Sequence, residues 1–83
     1  MRFDLALCEL RLFKSRTQAS LAIQDGAALL NGNVVKPGHG VKPGDHIACV
    51  GPGGTRTWEL LALPRASLSR VAARELLRQV SEG

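Results

Sequence analysis

A change of hydrophobic period at Gly26 constrains this chain more than any other feature. Before it, apolar residues return every three or four positions; after it, short apolar runs are cut repeatedly by turn residues. No single type of regular element carries both patterns, so helices must be set against strands around one core. Residues 3–13 place Phe3, Ala6, Leu7, Leu10 and Phe13 on one helical face, with Asp4 near the positive end of the helix dipole. After a break at Lys14, Ser15-Arg16-Thr17-Gln18 has the form of a capping box, a Ser hydroxyl at the N-cap with Gln three residues on. The second helix is predicted to run to Asp25, bury Ala19, Ala22 and Ile23, and stop where Gly26 permits a left-handed backbone.

Beyond Gly26 the turn chemistry dominates. Asn31-Gly32, lying between Ala28-Leu29-Leu30 and Asn33-Val34-Val35, predicts a hairpin, because the pair supplies the positive φ angles of a type I′ turn. Residues 36–40 are a loop, and Lys42-Pro43-Gly44-Asp45 is a second turn, with Pro presetting one dihedral and Gly accepting the next. Residues 46–50 read as a strand, Gly51-Pro52-Gly53-Gly54 as a flexible connection, and residues 57–63 as a further strand-like run. After Pro64, Ser67 is predicted to cap a last helix over 68–80, with Leu68, Ala72, Ala73, Leu76, Leu77 and Val80 as its apolar stripe. Helix, helix, strands, helix is an α+β order.

Size bounds what such a domain can do. With 83 residues the chain buries about 60% of its extended surface, enough for one core and no separate catalytic lobe. The longest apolar stretches are four residues, too short for a membrane span. Arg2, Asp4, Glu9 and Arg11 interrupt any apolar signal core near the start, so a soluble cytoplasmic protein is expected. Cys8 and Cys49 form no CxxC pair and sit in apolar surroundings, which reads as two small buried hydrophobes. His39 and His46 have no ligand partner at a zinc-like interval, so no metal and no cofactor is expected. Gly51-Pro52-Gly53-Gly54 lacks the Lys-Ser/Thr of a phosphate loop and precedes a strand. No nucleophile or paired-carboxylate constellation is recognisable, and the chain is not expected to be an enzyme.

Charge supplies the positive signal. Eleven Lys and Arg against seven Asp and Glu give a net charge of +4, a balance suited to nucleic acid. Arg11, Lys14 and Arg16 cluster at the helix–helix corner with Ser15, where a helix N-terminus and three cations would receive phosphate oxygens. The bland alternative is a solvated corner partly neutralised by Glu9 and Asp25. Arg70, Arg74 and Arg78 recur every four residues on the predicted last helix, a spacing whose like-charge repulsion costs roughly 0.2–0.5 kcal/mol per pair, offset in part by Glu75. That stripe is either a secondary RNA contact or a solvated face. There is no Tyr, and Phe3, Phe13 and Trp58 fit apolar faces better than exposed platforms. Binding is therefore expected to rest on phosphates, sugars and the shape of folded RNA, not on splayed bases.

The residues also carry a resemblance. Arg2-Phe3-Asp4, Arg11-Leu12-Phe13-Lys14-Ser15-Arg16-Thr17-Gln18-Ala19, Ile23, Gly26, Leu29-Leu30-Asn31-Gly32, Val35-Lys36-Pro37 and Val41-Lys42-Pro43-Gly44-Asp45-His46-Ile47 together resemble the S-four-type RNA-binding domain. The resemblance covers residues 2 to about 50 and departs at Leu5 and Ala6, where the family often has Lys and then an aromatic. It implies the alpha-L motif, two N-terminal helices packed on a small curved antiparallel sheet, here followed by a C-terminal helix. Residues 1–50 would form that domain, and 51–83 a final strand and helix packed on it. Carried over position by position, the implied RNA surface is Arg2, Arg11, Lys14, Ser15, Arg16, Gln18 and Lys36, while Asn31-Gly32 and Pro43-Gly44-Asp45 are structural turns. Trp58 to Leu63, Arg65, Ala72, Ala73 and Leu76 resemble the stand-alone ribosome-associated heat-shock and ribosome-quality-control branch.

That resemblance implies a non-catalytic protein binding structured rRNA or tRNA at the large ribosomal subunit during rescue or quality control of stalled translation, with no membrane partner. A monomer is expected, since nothing in the pattern demands a dimer. Two alternatives stand beside it: an RNA-targeting subunit of a separate modifying enzyme, and a protein-interaction module using the last helix.

Overall fold

The computed structural model describes residues 1–65 and 69–80. Helix α1 (Phe3–Glu9) and helix α2 (Arg16–Gln24) lead into strands β1 (Ala28–Leu30), β2 (His46–Gly51) and β3 (Gly54–Leu60), followed by helix α3 (Arg70–Arg74) and strand β4 (Leu77–Gln79). The four strands form one antiparallel sheet in the order β1-β2-β3-β4. Phe3, Leu7, Ile23, Ile47 and Leu60, drawn from both N-terminal helices and two strands, are fully buried in a single core. This is the expected α+β architecture. Among the described residues no helix is long and apolar enough to cross a membrane.

The first helix is shorter than its apolar period. Its cap is Leu10, and the next residue, Arg11, takes a left-handed φ of 63°. The Arg11 N–H donates to the Cys8 carbonyl at 3.0 Å and the Leu12 N–H to the Leu7 carbonyl at 3.1 Å, the hydrogen-bond pair of a Schellman stop. Leu12 and Phe13 still pack against the core, as the period required, but from the connection and not from a helix. The second helix matches expectation. The Ser15 hydroxyl accepts from the Gln18 N–H at 3.1 Å, and Gly26 follows the helix with φ 77°.

The Asn31-Gly32 turn forms with φ of 53° and 80°, but the hairpin it predicts does not continue. Only Leu30 and Asn33 pair, and Val34 is left 64% exposed. The partner of β1 is β2, which sets Leu30 beside the buried Ile47. The turn residues themselves bind forward: Asn31 Nδ2 donates to Asp45 Oδ1 at 3.2 Å, and Asn31 Oδ1 accepts from the His46 N–H at 2.9 Å. Asp45 also accepts from the Lys42 N–H, closing the second turn as expected. The flexible connection expected at 51–54 is instead a tight hairpin, with Gly51 paired to Gly54.

The largest correction lies at the end of the chain. The helix expected over 68–80 is one short helix, α3, capped by Ser69, whose hydroxyl accepts from the Ala72 N–H. The expected cap Ser67 and the stripe residue Leu68 lie outside the described residues. Leu77, Arg78 and Gln79 are a strand on the edge of β3. An open strand edge offers a row of unpaired N–H and C=O groups, and filling it satisfies both segments at once. Helical periodicity at Leu76 and Leu77 could not report a pairing with residues so distant in sequence. Both leucines pack on the core all the same.

Candidate nucleic-acid interface

Helix α1 is tied at its start to the 36–40 loop. The N–H groups of Phe3 and Asp4 donate to the carbonyls of His39 and Pro37 at 2.8 and 3.1 Å, and Arg2 pairs with Gly40. Two of the donors that a helix N-terminus leaves unsatisfied are thereby paired. The same contacts lay the 36–40 loop, whose first residue is the exposed Lys36, against Arg2.

Asp4 organises the charges there. Its carboxylate is buried and accepts from Arg2 Nε and Nη2, each at 3.2 Å, from the Leu5 N–H at 2.7 Å and from Arg16 Nε at 3.4 Å. Burial pushes its pKa up, but the hydrogen bonds from Arg2, Leu5 and Arg16 outweigh that and hold it below its ordinary value. Both guanidiniums remain about half exposed. One carboxylate thus aims two arginines outward from the head of α1 and the head of α2. They border an open groove of about 550 Å³ that continues along α2 past Thr17, Ser20 and Gln24. The charges that the sequence offers to neutralise the helix–helix corner, Glu9 and Asp25, are not the ones that hold these arginines; the buried Asp4 carboxylate is.

The other candidates distribute unevenly. Ser15 is committed to capping α2, and Gln18 is the exposed residue whose N–H it receives. Lys14 is exposed on the connection between the helices. Arg11 does not line the groove of Arg2 and Arg16; it lines a second cleft with Arg56, Arg70 and Arg74. Arg78 parts from the stripe expected of it. It stands opposite Glu59 across the β3–β4 ladder and forms an ion pair with that residue.

Two further residues of the second cleft, Arg56 and Trp58, lie outside the RNA surface expected from the sequence. Strand alternation would have found them, since Arg56, Trp58 and Leu60 share one face. Leu60 is buried in the core, Trp58 half-buried, and Arg56 exposed. Trp58 lies half-buried on the apolar face expected of it, opposite Ile47, and also lines the cleft.

The thiols are free and half-buried. Burial raises the Cys49 pKa to about 11, so this group is a protonated apolar filler at neutral pH.

The sequence profile of the S4 domain matches residues 1–47. Among solved structures, the trimeric Heat Shock Protein 15 of Vibrio cholerae superimposes with a TM-score of 0.91 at 23% identity, covering 99% of this chain and 83% of that one. That likeness shows the fold. No curated protein matches the chain significantly.

Proposed function

The chain belongs to the S4 domain family, an RNA-binding family, and from that premise we propose that it is a non-catalytic protein that docks on structured rRNA of the large ribosomal subunit during rescue or quality control of stalled translation. The observation that carries the reading is the shared carboxylate: Asp4 holds Arg2 and Arg16 at the mouth of one groove with their guanidiniums half exposed. Guanidiniums already oriented lose less side-chain freedom when they meet phosphates. Lys14 and Lys36 add exposed charge on the adjoining connection and loop. Arg2 and Arg16 engage phosphates while the helix pair fits the shape of the RNA. Docking on ribosomes would put this work in the cytoplasm.

The likeness to a heat-shock protein over nearly the whole chain supports the ribosomal assignment, because it extends past the S4 match through β3, α3 and β4. The test is sucrose-gradient sedimentation of tagged wild-type and Arg16→Glu protein in lysate from cells with stalled translation. Wild-type protein travelling with free large subunits, and the variant staying at the top, is the expected result. Wild-type protein remaining at the top, or moving with a non-ribosomal complex, removes the ribosomal role and leaves RNA binding alone.

A further inference from the structure

One face of the sheet is buried at one end and open at the other. Register places Ile47 beside Trp58, Cys49 beside Arg56, Leu77 beside Leu60 and Gln79 beside Trp58, all on one face. Toward Leu60 this face is core; toward Arg56 it opens into a cleft of about 660 Å³. That volume lies within the roughly 300–1,000 Å³ usual for ligand clefts.

Four arginines from three parts of the chain line it: Arg11 after α1, Arg56 on β3, and Arg70 and Arg74 on α3. No carboxylate lines it among the described residues. Arg56, Arg70 and Arg74 bring like charge together here, at a cost in self-repulsion that a bound anion would relieve. Between them stands Trp58, whose other side borders an apolar hollow with Phe13 and Cys49. Phosphate-seeking cations around an accessible indole are the combination that holds a single strand, the cations tracking the backbone and the ring stacking a base.

Arg11 adds an independent sign. It occupies the left-handed position of a Schellman stop, where glycine avoids a steric cost that every L side chain meets. The strained backbone delivers a guanidinium to the cleft, and such strain tends to sit at functional positions.

We propose that this cleft is a second nucleic-acid site, separate from the Arg2–Arg16 groove, that takes an unpaired stretch of RNA with one base stacked on Trp58. The proposal extends the RNA reading above but stands on different residues, so the protein would grip a folded element and a single strand at once.

Trp58 is the chain's one tryptophan, so its fluorescence reports this site alone. Titration of the full chain with hexaadenylate is expected to quench it. Arg56→Gln and Arg74→Gln should each weaken the apparent affinity about tenfold, as loss of a charged hydrogen bond does. Arg11→Gly should weaken it similarly while its melting temperature stays equal or rises, which separates binding from folding. Arg16→Gln should leave the quench unchanged.

Absence of a quench, a quench indifferent to all three cleft variants, or equal quenching by a blunt RNA duplex or by polyglutamate would each overturn the proposal. If structured RNA still binds through Arg16 without any quench, this site alone falls. If the quench persists while structured RNA fails to bind, the groove reading falls instead.

Discussion

Arg16 Nε, at the first residue of α2, reaches back to within 3.4 Å of Asp4 Oδ2 in the first turn of α1. The contact links the two helices through the carboxylate that also receives Arg2. Asp4→Asn would keep an acceptor for the Leu5 N–H but lose both ion pairs. With the arginines half solvated, the expected loss is about 1–2 kcal/mol, a fall of roughly 5–15 °C in Tm by thermal denaturation. RNA affinity should fall as well, although the net positive charge increases. A rise in affinity would mean that charge, and not orientation, governs docking.

Neutralising Arg16 alone tests the phosphate contact. Arg16→Gln should make the slope of log affinity against log salt shallower by about 0.7–0.9, the share of one phosphate. If about five phosphates are neutralised in the wild type, its slope is roughly −3.5 to −4.5. Filter binding to large-subunit rRNA across a salt series measures both, and a salt-independent complex would exclude the mechanism.

Acid should unfold the protein through two carboxylates. For Asp45, as for Asp4, burial raises the pKa, but hydrogen bonds from Lys42 and Asn31 outweigh it and leave the folded value depressed. The unfolded chain therefore binds these protons more tightly than the folded one, and stability rises with pH across this range. The contribution is complete above the ordinary aspartate value of 3.8 and is lost as pH falls through the depressed folded values. Urea melts from pH 2 to pH 6 should show this rise and then a plateau; Asp45→Asn should flatten part of it.

Arg78 should prove dispensable. It pairs with Glu59 on the face of the sheet opposite the cleft, and exposed pairs of this kind contribute about 0–1 kcal/mol. Arg78→Ala is expected to leave both RNA affinity and the Trp58 quench unchanged. A loss equal to that of Arg74→Gln would restore the helical stripe that the β3–β4 ladder replaces.

Cys49 should resist alkylation. With its pKa near 11, thiolate is scarce at neutral pH, and labelling should accelerate about tenfold per pH unit until that value is approached. Iodoacetamide labelling of the Cys8→Ala variant, followed by mass spectrometry, isolates the effect.

Much of this architecture was legible because it is written in local chemistry. The Ser15 cap, the stop at Gly26, the Asn31-Gly32 turn and the 42–45 turn each depend on a few neighbouring residues whose backbone preferences are intrinsic. The candidate cations were visible for the same reason, as was the S4 pattern that orders them. What escaped was pairing at a distance: Val34 and Val35 had the composition of a strand yet lost β1 to β2, and Leu77 to Gln79 had the period of a helix yet filled the edge of β3.

The sequence by itself determined two helices, the Ser15 cap and Gly26 stop of the second, the turns and a basic surface, because propensity, capping and charge act over one or two turns of chain. Only the tertiary structure decided which cations act together. It joined Arg2 to Arg16 through Asp4, moved Arg11 to the company of Arg56, Arg70 and Arg74, and turned Arg78 away to Glu59. The reason is that a strand's alternation and a sheet's register, once set by burial of Leu60 and Ile47, dictate the face of every other residue along them.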